Sequence, residues 1–407
     1  MNLLRPDALG RLAGYRRVAL VIGAMAMVIA VVGGLSDPAQ FFRAYLVGWL
    51  FFFGLAMGSL ALLMIYHLTG GAWGFLIRKT LERAVGTMPL VAVGFVPLAL
   101  GAHYLYPFAQ ADVVASNELV RFQQRYLSVP LFAVRAAGFF VLWLLLAWCL
   151  RGWSRAEDRT GDARYARRCE NLSGPGLVAF GITMHFAAID WVMSLQPAFH
   201  STIFGPLAVS GQILSAQAFA IFMLAALSRQ PAITEKISAK ALTDLGNLLL
   251  AFLIVWAYLC WFQYMLIWIA NLPVDVIWYV PRLGRGWQAA TLLMVCFSFA
   301  IPFLLLLWRI VKQDLRRMSL LAAWILVTQL VFDDYLVTPP FAASGFGQRW
   351  MELVVPIGIG GLWSAWLLVG IETWSPLPLH DANESSAARL RASDEHEAAW
   401  EELFSHG

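Results

Sequence analysis

Uninterrupted apolar stretches, each near the ~20 residues that cross a hydrocarbon core at ~1.5 Å rise per residue, dominate this chain. They fall at about 18–35, 44–66, 84–106, 130–150, 175–196, 203–227, 245–270, 287–308, 319–337 and 350–371, ten in all. Such a chain has one fold class open to it. The bilayer core supplies no water to backbone N–H and C=O groups, so each stretch must close its own hydrogen bonds, and an all-α integral membrane protein is predicted. Apolar residues make up 60% of the 407 and charged residues 13%, about half the usual charged share, which leaves no room for a soluble enzyme domain. The first stretch follows Arg16 and Arg17 as a signal peptide would. No A-x-A-like cleavage site follows it and nine further stretches do, so it is read as a membrane helix.

The basic residues orient the spans. Of 29 lysines and arginines, 22 fall on the side of the N-terminus and six on the other (Arg43, Arg121, Arg125, Arg282, Arg285 and Arg349), while Arg135 lies inside a span. Both termini are therefore expected in the cytoplasm of a multi-pass protein. Residues 376–407 form an acidic polar tail that reads as a solvated end or a docking peptide. The net charge of +4 has no basic stripe behind it, which argues against nucleic acid as a partner; membrane lipid is the partner this composition demands. Cys149, Cys169, Cys260 and Cys296 form no CxxC, arguing against an iron-sulfur cluster, zinc or covalently attached haem. His67, His103, His185 and His200 lie singly at different depths rather than in facing axial pairs, so the chain is expected to bind no redox cofactor itself. Gly54-x-x-x-Gly58, and Gly358, Gly360 and Gly361, mark close helix contacts, read as within the chain in preference to contacts with a partner subunit. Trp73, Trp153, Trp278, Trp287 and Trp374 sit at span ends, where an aromatic belt belongs.

Ionisable groups at bilayer depth cost a few kcal/mol each and therefore mark polar paths or ion pairs. Arg135 and Asp190 fall about 8 to 10 Å in from the outer ends of adjacent spans, which makes them a candidate ion pair. Asp333, Asp334, His103, Gln263, Gln196 and Glu352 share that outer half, and a polar basin opening outward is the simplest account. A smaller inner group comprises Glu82, His67, Asp244 and Asn247. Glu82, beside Arg78 and Arg83, suits an interfacial salt bridge as well as it suits a proton carrier. His185 is the deepest titratable group; it reads either as hydrogen-bonded to a neighbouring helix or as a carrier between the two groups. An apolar slot with acids and a histidine at one end would also suit a quinone headgroup.

Several blocks carry a resemblance. GWLFFFGLAMGSLALLMIYHLTGGAWGFLIRKTLERAVGTMPL (Gly48 to Leu90), FAAIDWVMSLQPAFHSTIFG (Phe186 to Gly205), DLGNLLLAFLIVWAYLCWFQ (Asp244 to Gln263), ANLPVDVIWY (Ala270 to Tyr279) and DDYLVTPPF (Asp333 to Phe341) are similar to the ActF-type, NrfD-like (polysulfide-reductase-type) membrane subunits of alternative complex III. The resemblance implies a cofactor-free subunit of a quinol:cytochrome c oxidoreductase in a bacterial inner membrane. Its implied partners are an iron-sulfur/molybdopterin-like subunit, a multihaem cytochrome, a second NrfD-like subunit and a terminal oxidase, with quinol as the substrate of the complex. It also implies two four-helix bundles, spans two to five and six to nine, flanked by the first and last helices. Glu82, Asp190, Asp244 and Asp333 match acidic positions of the family, whereas Gln196 and Phe204 replace its usual glutamate and tyrosine.

Two other classes fit the same physics. A secondary transporter would also need many helices, buried charges and a two-bundle repeat, but it should show broken helices in corresponding halves, and Pro97 is the one clear interior break. A purely structural anchor subunit is the third. Reporter fusions at Gly407 and within residues 109–116 are expected to report opposite sides of the membrane; the same side for both would overturn the topology.

Overall fold

The structure, a computed structural model, describes residues 6–284, 286–341 and 350–373, and all regular structure within them is helical. Arg285, Arg349, Trp374 and the acidic tail lie outside the described residues. Among the described residues nine helices are long and apolar enough to cross a membrane, and a bent pair supplies a tenth span, so this is an all-α multi-pass membrane protein. In chain order they are α1 (Pro6–Ser36), α2 (Pro38–Thr69), the pair α3 (Ala72–Val85) and α4 (Met88–Leu100), α5 (Val129–Thr160) and α6 (Ala163–Trp191). Then follow α7 (Phe204–Leu227), α8 (Ala239–Ala270), α9 (Trp287–Leu307), α10 (Leu315–Val337) and α11 (Met351–Thr373).

Nine of the ten spans coincide with the apolar stretches; the third does not. It begins at Ala72 and bends by 40° between α3 and α4. The cause is local: Pro89, in the first turn of α4, has no N–H to give to the carbonyl of Val85, and the N–H of Thr87 folds back onto Ala84 at 3.0 Å. Pro97, the break expected from the sequence, lies inside α4 without interrupting it. Scanning for apolarity passed over α3 because Arg78, Lys79, Glu82 and Arg83 interrupt it. A second irregularity, a π-helical turn over Val295–Ala300, sits within α9 just before Pro302.

At the arginine-rich end, α5 and α6 run on well beyond their apolar stretches. Their hairpin turns on Gly161, in the left-handed region at φ 67°, with its N–H on the carbonyl of Glu157 at 2.8 Å, and on the Asp162 carboxylate, which accepts the Arg164 N–H at 2.9 Å.

The helices pack as two four-membered sets. In one, α2 meets α3, α4 and α6, and α5 packs on α4 and α6; in the other, α7 packs on α8 and α10, and α9 lies against α8 and α10. The sets share a seam where α2 lies on α7, and α1 and α11 pack together with α11 against α2. Gly54 and Gly58 make that seam: a Cβ on Gly58 would stand 2.1 Å from the carbonyl oxygen of Gln212 in α7. Gly361 does the same for α1 and α11, 2.5 Å from the Cα of Gly23. Of the tryptophans expected in the belt, Trp278 and Trp287 are instead buried, each 3% exposed, because the loop before α9 folds inward over the ends of α7 and α10.

Gly58→Ala is expected to cost about 1–3 kcal/mol by forcing α2 and α7 apart. Gly138→Ala, where an added Cβ meets nothing within 4 Å, is expected to be neutral. Detergent or thermal unfolding of the two variants checks the contrast.

Candidate functional site

The polar groups of the end opposite the arginine-rich one do not form a single basin; they divide into separate sites. Arg135 and Asp190 do pair. The Arg135 Nε donates to Asp190 Oδ2 at 2.7 Å, and its Nη1 donates to the Tyr126 carbonyl at 2.7 Å. The guanidinium lies 3.8 Å from the Tyr126 ring centroid, and the Asp190 side chain is 1% exposed. Burial, with the Asp190 charge adding to it, pushes the Tyr126 phenol up to about 12. Arg135 Nη2 and Asp190 Oδ1 have no hydrogen-bond partner among the described residues.

Asp333 belongs to a different place. It lines a cavity of about 30 Å³ at the seam, between α2, α6, α7 and α10, with Gly54, Trp191, Gln212, Ser215 and Gln329 around it. Trp191 follows Asp190 in the chain, so α6 carries the ion pair and one cavity wall on successive residues. That volume suits two or three waters at roughly 10–15 Å³ each and falls far below the ~300 Å³ of a small-ligand pocket. Asp334, its neighbour, faces elsewhere and accepts the Thr338 hydroxyl at 2.6 Å.

The remaining outer candidates scatter. His103 stands exposed beyond the end of α4, in the short helix Ala102–Leu105, its ring tilted by 41° against Tyr104 at 3.8 Å between centroids. It leaves the basin because the span ends at Leu100 rather than at 106. Gln263 is buried and accepts the Ser201 hydroxyl. Glu352 is on α11, which packs against α1 and α2 rather than on the ion pair. Gln196 accepts from Arg282 at 3.4 Å.

Arg282 was not singled out from the sequence, and it is 1% exposed. It donates to the carbonyls of Tyr335 (3.1 Å), Leu336 (2.9 Å) and Trp278 (2.5 Å), and its guanidinium lies 3.5 Å from the Trp278 ring centroid. It thereby closes the C-terminal end of α10, where a cation is favoured. Burial lowers its pKa to about 9, so it stays charged at neutral pH.

At the arginine-rich end, Glu82 is buried inside an ionic network rather than snorkelling to water. Its carboxylate accepts from Arg78 Nε (3.2 Å), Lys79 Nζ (2.9 Å) and the Ser154 hydroxyl (2.5 Å). Arg78 reaches Glu157 at 2.5 Å and Lys79 reaches Asp158 at 2.5 Å. Ser154, Glu157 and Asp158 escaped the sequence reading because they lie past the apolar part of α5. Their i, i+3, i+4 spacing on one helix face was the signal that could have found them. His67 is buried beside this network, and its Nε2 has no partner among the described residues. Asp244 is half-buried in the first turns of α8 with no ion pair among the described residues, and the neighbouring Asn247 accepts from Lys312 at 2.8 Å. His185 is half-buried against the start of α7, where its Nδ1 would stand 2.3 Å from a Cβ on Gly205. Tight packing on the neighbouring helix, on a face turned away from Asp190, is what the geometry gives it.

Between the cavity and this network runs a series of buried polar atoms that find no partner among the described residues. They are Gln212 Oε1 and Gln329 Nε2 at the cavity, both amide atoms of Gln217 further along α7, and His67 Nε2 at the far end of α2. Such atoms are rare in folded proteins and are ordinarily satisfied by internal water.

No protein-family model matches this chain, and no curated protein matches it.

Removing Asp190 alone leaves the half-buried Arg135 guanidinium without its carboxylate, so Asp190→Asn is expected to destabilise the chain by about 2–3 kcal/mol, whereas Arg135→Gln with Asp190→Asn should recover most of that loss. A double-mutant cycle by unfolding in detergent measures it; additive effects would mean that the two side chains do not depend on each other.

Proposed function

We propose that this chain is a cofactor-free membrane subunit of a quinol:cytochrome c oxidoreductase of the alternative complex III kind, in a bacterial inner membrane with both termini cytoplasmic, and that it contributes a water-assisted proton path. The carrying observation is the series of unpartnered buried polar atoms, Gln212, Gln329, Gln217 and His67, that lies between the Asp333 cavity and the Glu82 network. Water held by those groups could pass protons between two carboxylates that are too far apart to exchange them directly. The size of the cavity favours this role over quinol binding in the cavity itself, since a quinone ring does not fit the space that two or three waters fill. The sequence blocks around Asp190, Asp244 and Asp333 support membership of the complex, whose other subunits would hold the iron-sulfur clusters and haems.

The transporter reading gains one observation, the bend between α3 and α4. The other break, the π-helical turn, is in the eighth span, which does not correspond to the third in a repeat of spans two to five and six to nine.

Affinity purification of the tagged chain from its own membranes is expected to bring down an iron-sulfur/molybdopterin-like subunit, a multihaem cytochrome and a second NrfD-like chain; a solitary chain would sink the assignment. Within such a complex, Asp333→Asn should leave quinol oxidation in place while proton translocation per electron falls toward background. Unchanged translocation would remove the proton path and leave an anchor.

A further inference from the structure

Among the described residues, Asp333 is the one charged side chain in the wall of the seam cavity. Arg282, the buried cation at the same end, gives its donors to the carbonyls of Trp278, Tyr335 and Leu336 and to Gln196, and none of them to Asp333. Arg135 is taken by Asp190. Asp334, next in the chain, has the same sign and accepts from Thr338. Asp333 itself makes no hydrogen bond or ion pair with a described residue. A carboxylate enclosed between four helices needs a positive partner or a proton.

The neutral side chains around it supply oxygen. Gln212 and Gln329 each lie over a glycine of the cavity wall: a Cβ on Gly54 would stand 2.9 Å from Gln212 Cγ, and one on Gly211 would stand 3.1 Å from Gln329 Oε1. The two glycines open the room that the two amides occupy. Gln212 Oε1 and Gln329 Nε2 are buried without a hydrogen-bond partner among the described residues, and Gln329 is 2% exposed. With nothing holding its Nε2, the Gln329 amide can turn its oxygen to the cavity. Ser215 donates to the Gly211 carbonyl at 2.8 Å, which leaves the lone pairs of its Oγ open. A proton on Asp333 would ask for a single acceptor. Two amides and a hydroxyl, in a wall otherwise built of side chains such as Leu50, Phe51, Met184 and Ala187, each add a desolvation cost that a protonated acid does not explain.

Charge and ligand type select the ion. One carboxylate neutralises one positive charge, so a divalent ion would bring an uncompensated charge into the bundle. No three His, Cys, Asp or Glu side chains converge among the described residues, so the ligands here are those of a hard cation rather than of a transition metal. Asp333 offers two oxygens and Gln212, Gln329 and Ser215 one each, and a space of about 30 Å³ takes an alkali ion of sodium's size with a water beside it. We infer that the seam cavity binds a sodium ion, held by the Asp333 carboxylate and the side-chain oxygens of Gln212, Ser215 and Gln329. Trp191 Nε1, buried in the same wall without a partner among the described residues, donates to the accompanying water. The site stands on the cavity and does not rest on the proton path, although a sodium ion and a proton exclude each other at Asp333.

The test uses the full-length chain, with whatever subunits copurify, in phosphatidylcholine nanodiscs, and measures retention of radioactive sodium with choline as the balancing cation. The wild type is expected to bind sodium saturably and in equimolar amount. Asp333→Asn should abolish binding, and Ser215→Ala and Gln212→Leu should each weaken it about 10-fold. Asp112→Asn, which removes an exposed carboxylate at the same end and changes the net charge equally, should leave it unchanged. Size-exclusion profiles and helical circular dichroism confirm that the variants fold. Non-saturable retention in the wild type would overturn the site whatever the variants do. So would equal loss in Asp333→Asn and Asp112→Asn, which would reduce binding to surface attraction. If the wild type binds no sodium while Asp333→Asn still abolishes proton translocation, the sodium site fails and the proton path stands. Saturable binding by a chain that copurifies with no other subunit supports the site and tells against the assembly.

Discussion

The contact of α2 with α7 at Gly54 and Gly58 is the interaction on which the rest of the interior depends. Lipid gives no hydrophobic drive for helices to associate, so two helices come this close only where glycine removes the side chain between their backbones. With Gly58 against the carbonyl of Gln212, the Gln212 side chain is turned toward Gly54 and into the cavity that Asp333 lines. Gln217 follows on the same helix, and His67 lies on α2 beyond it. The seam between the two four-helix sets is therefore also where the unpartnered polar atoms collect. A polar side chain facing lipid costs several kcal/mol, and α2, buried along most of its length, offers the largest surface shielded from lipid.

What could be read from the sequence follows from what the bilayer enforces. Span length and hydropathy are enforced along the whole chain, and nine of ten spans were legible on that basis. The pairing of Arg135 with Asp190 was legible because two opposite charges at equal depth on adjacent helices have few alternatives to each other. The third span was not, since its first half is a charged helix and the bend at Gly86–Thr87 depends on one missing N–H at Pro89. His103 was misplaced for the same reason, the span lying about a turn and a half nearer the N-terminus than its apolar run. Gln212, Gln217 and Gln329 carry no charge, so a search for costly groups passed over them although their burial without partners marks the seam. The cavity is a product of packing between four helices, and no local pattern encodes it.

The two ends of the bundle handle charge differently. At one end a single carboxylate meets a single guanidinium, a neutral pair whose cation lies over the Tyr126 ring. Arg282 at that end meets carbonyl oxygens and the Trp278 ring but no carboxylate among the described residues, and the negative end of α10 serves in place of one. The arginine-rich end keeps full charges and builds a network for them.

That network requires two features that look unrelated in the sequence. A helix such as α3, buried on all sides from Gly74 to Val85, cannot carry Arg78, Lys79, Glu82 and Arg83 unless acids and hydroxyls reach them from another element. Those partners, Ser154, Glu157 and Asp158, exist at that place only because α5 continues for about three turns past its apolar stretch. Nor could α3 lie between α2, α7 and α8 if it ran straight into α4, because the 40° bend at Gly86–Thr87 is what carries it in under the second set of helices. Straightening the bend would turn the charges of α3 away from α5, and shortening α5 would leave them buried without partners. Each feature is tolerable only because of the other, so Pro89 and the Ser154–Asp158 face form one device that places carboxylates at the basic end of the seam.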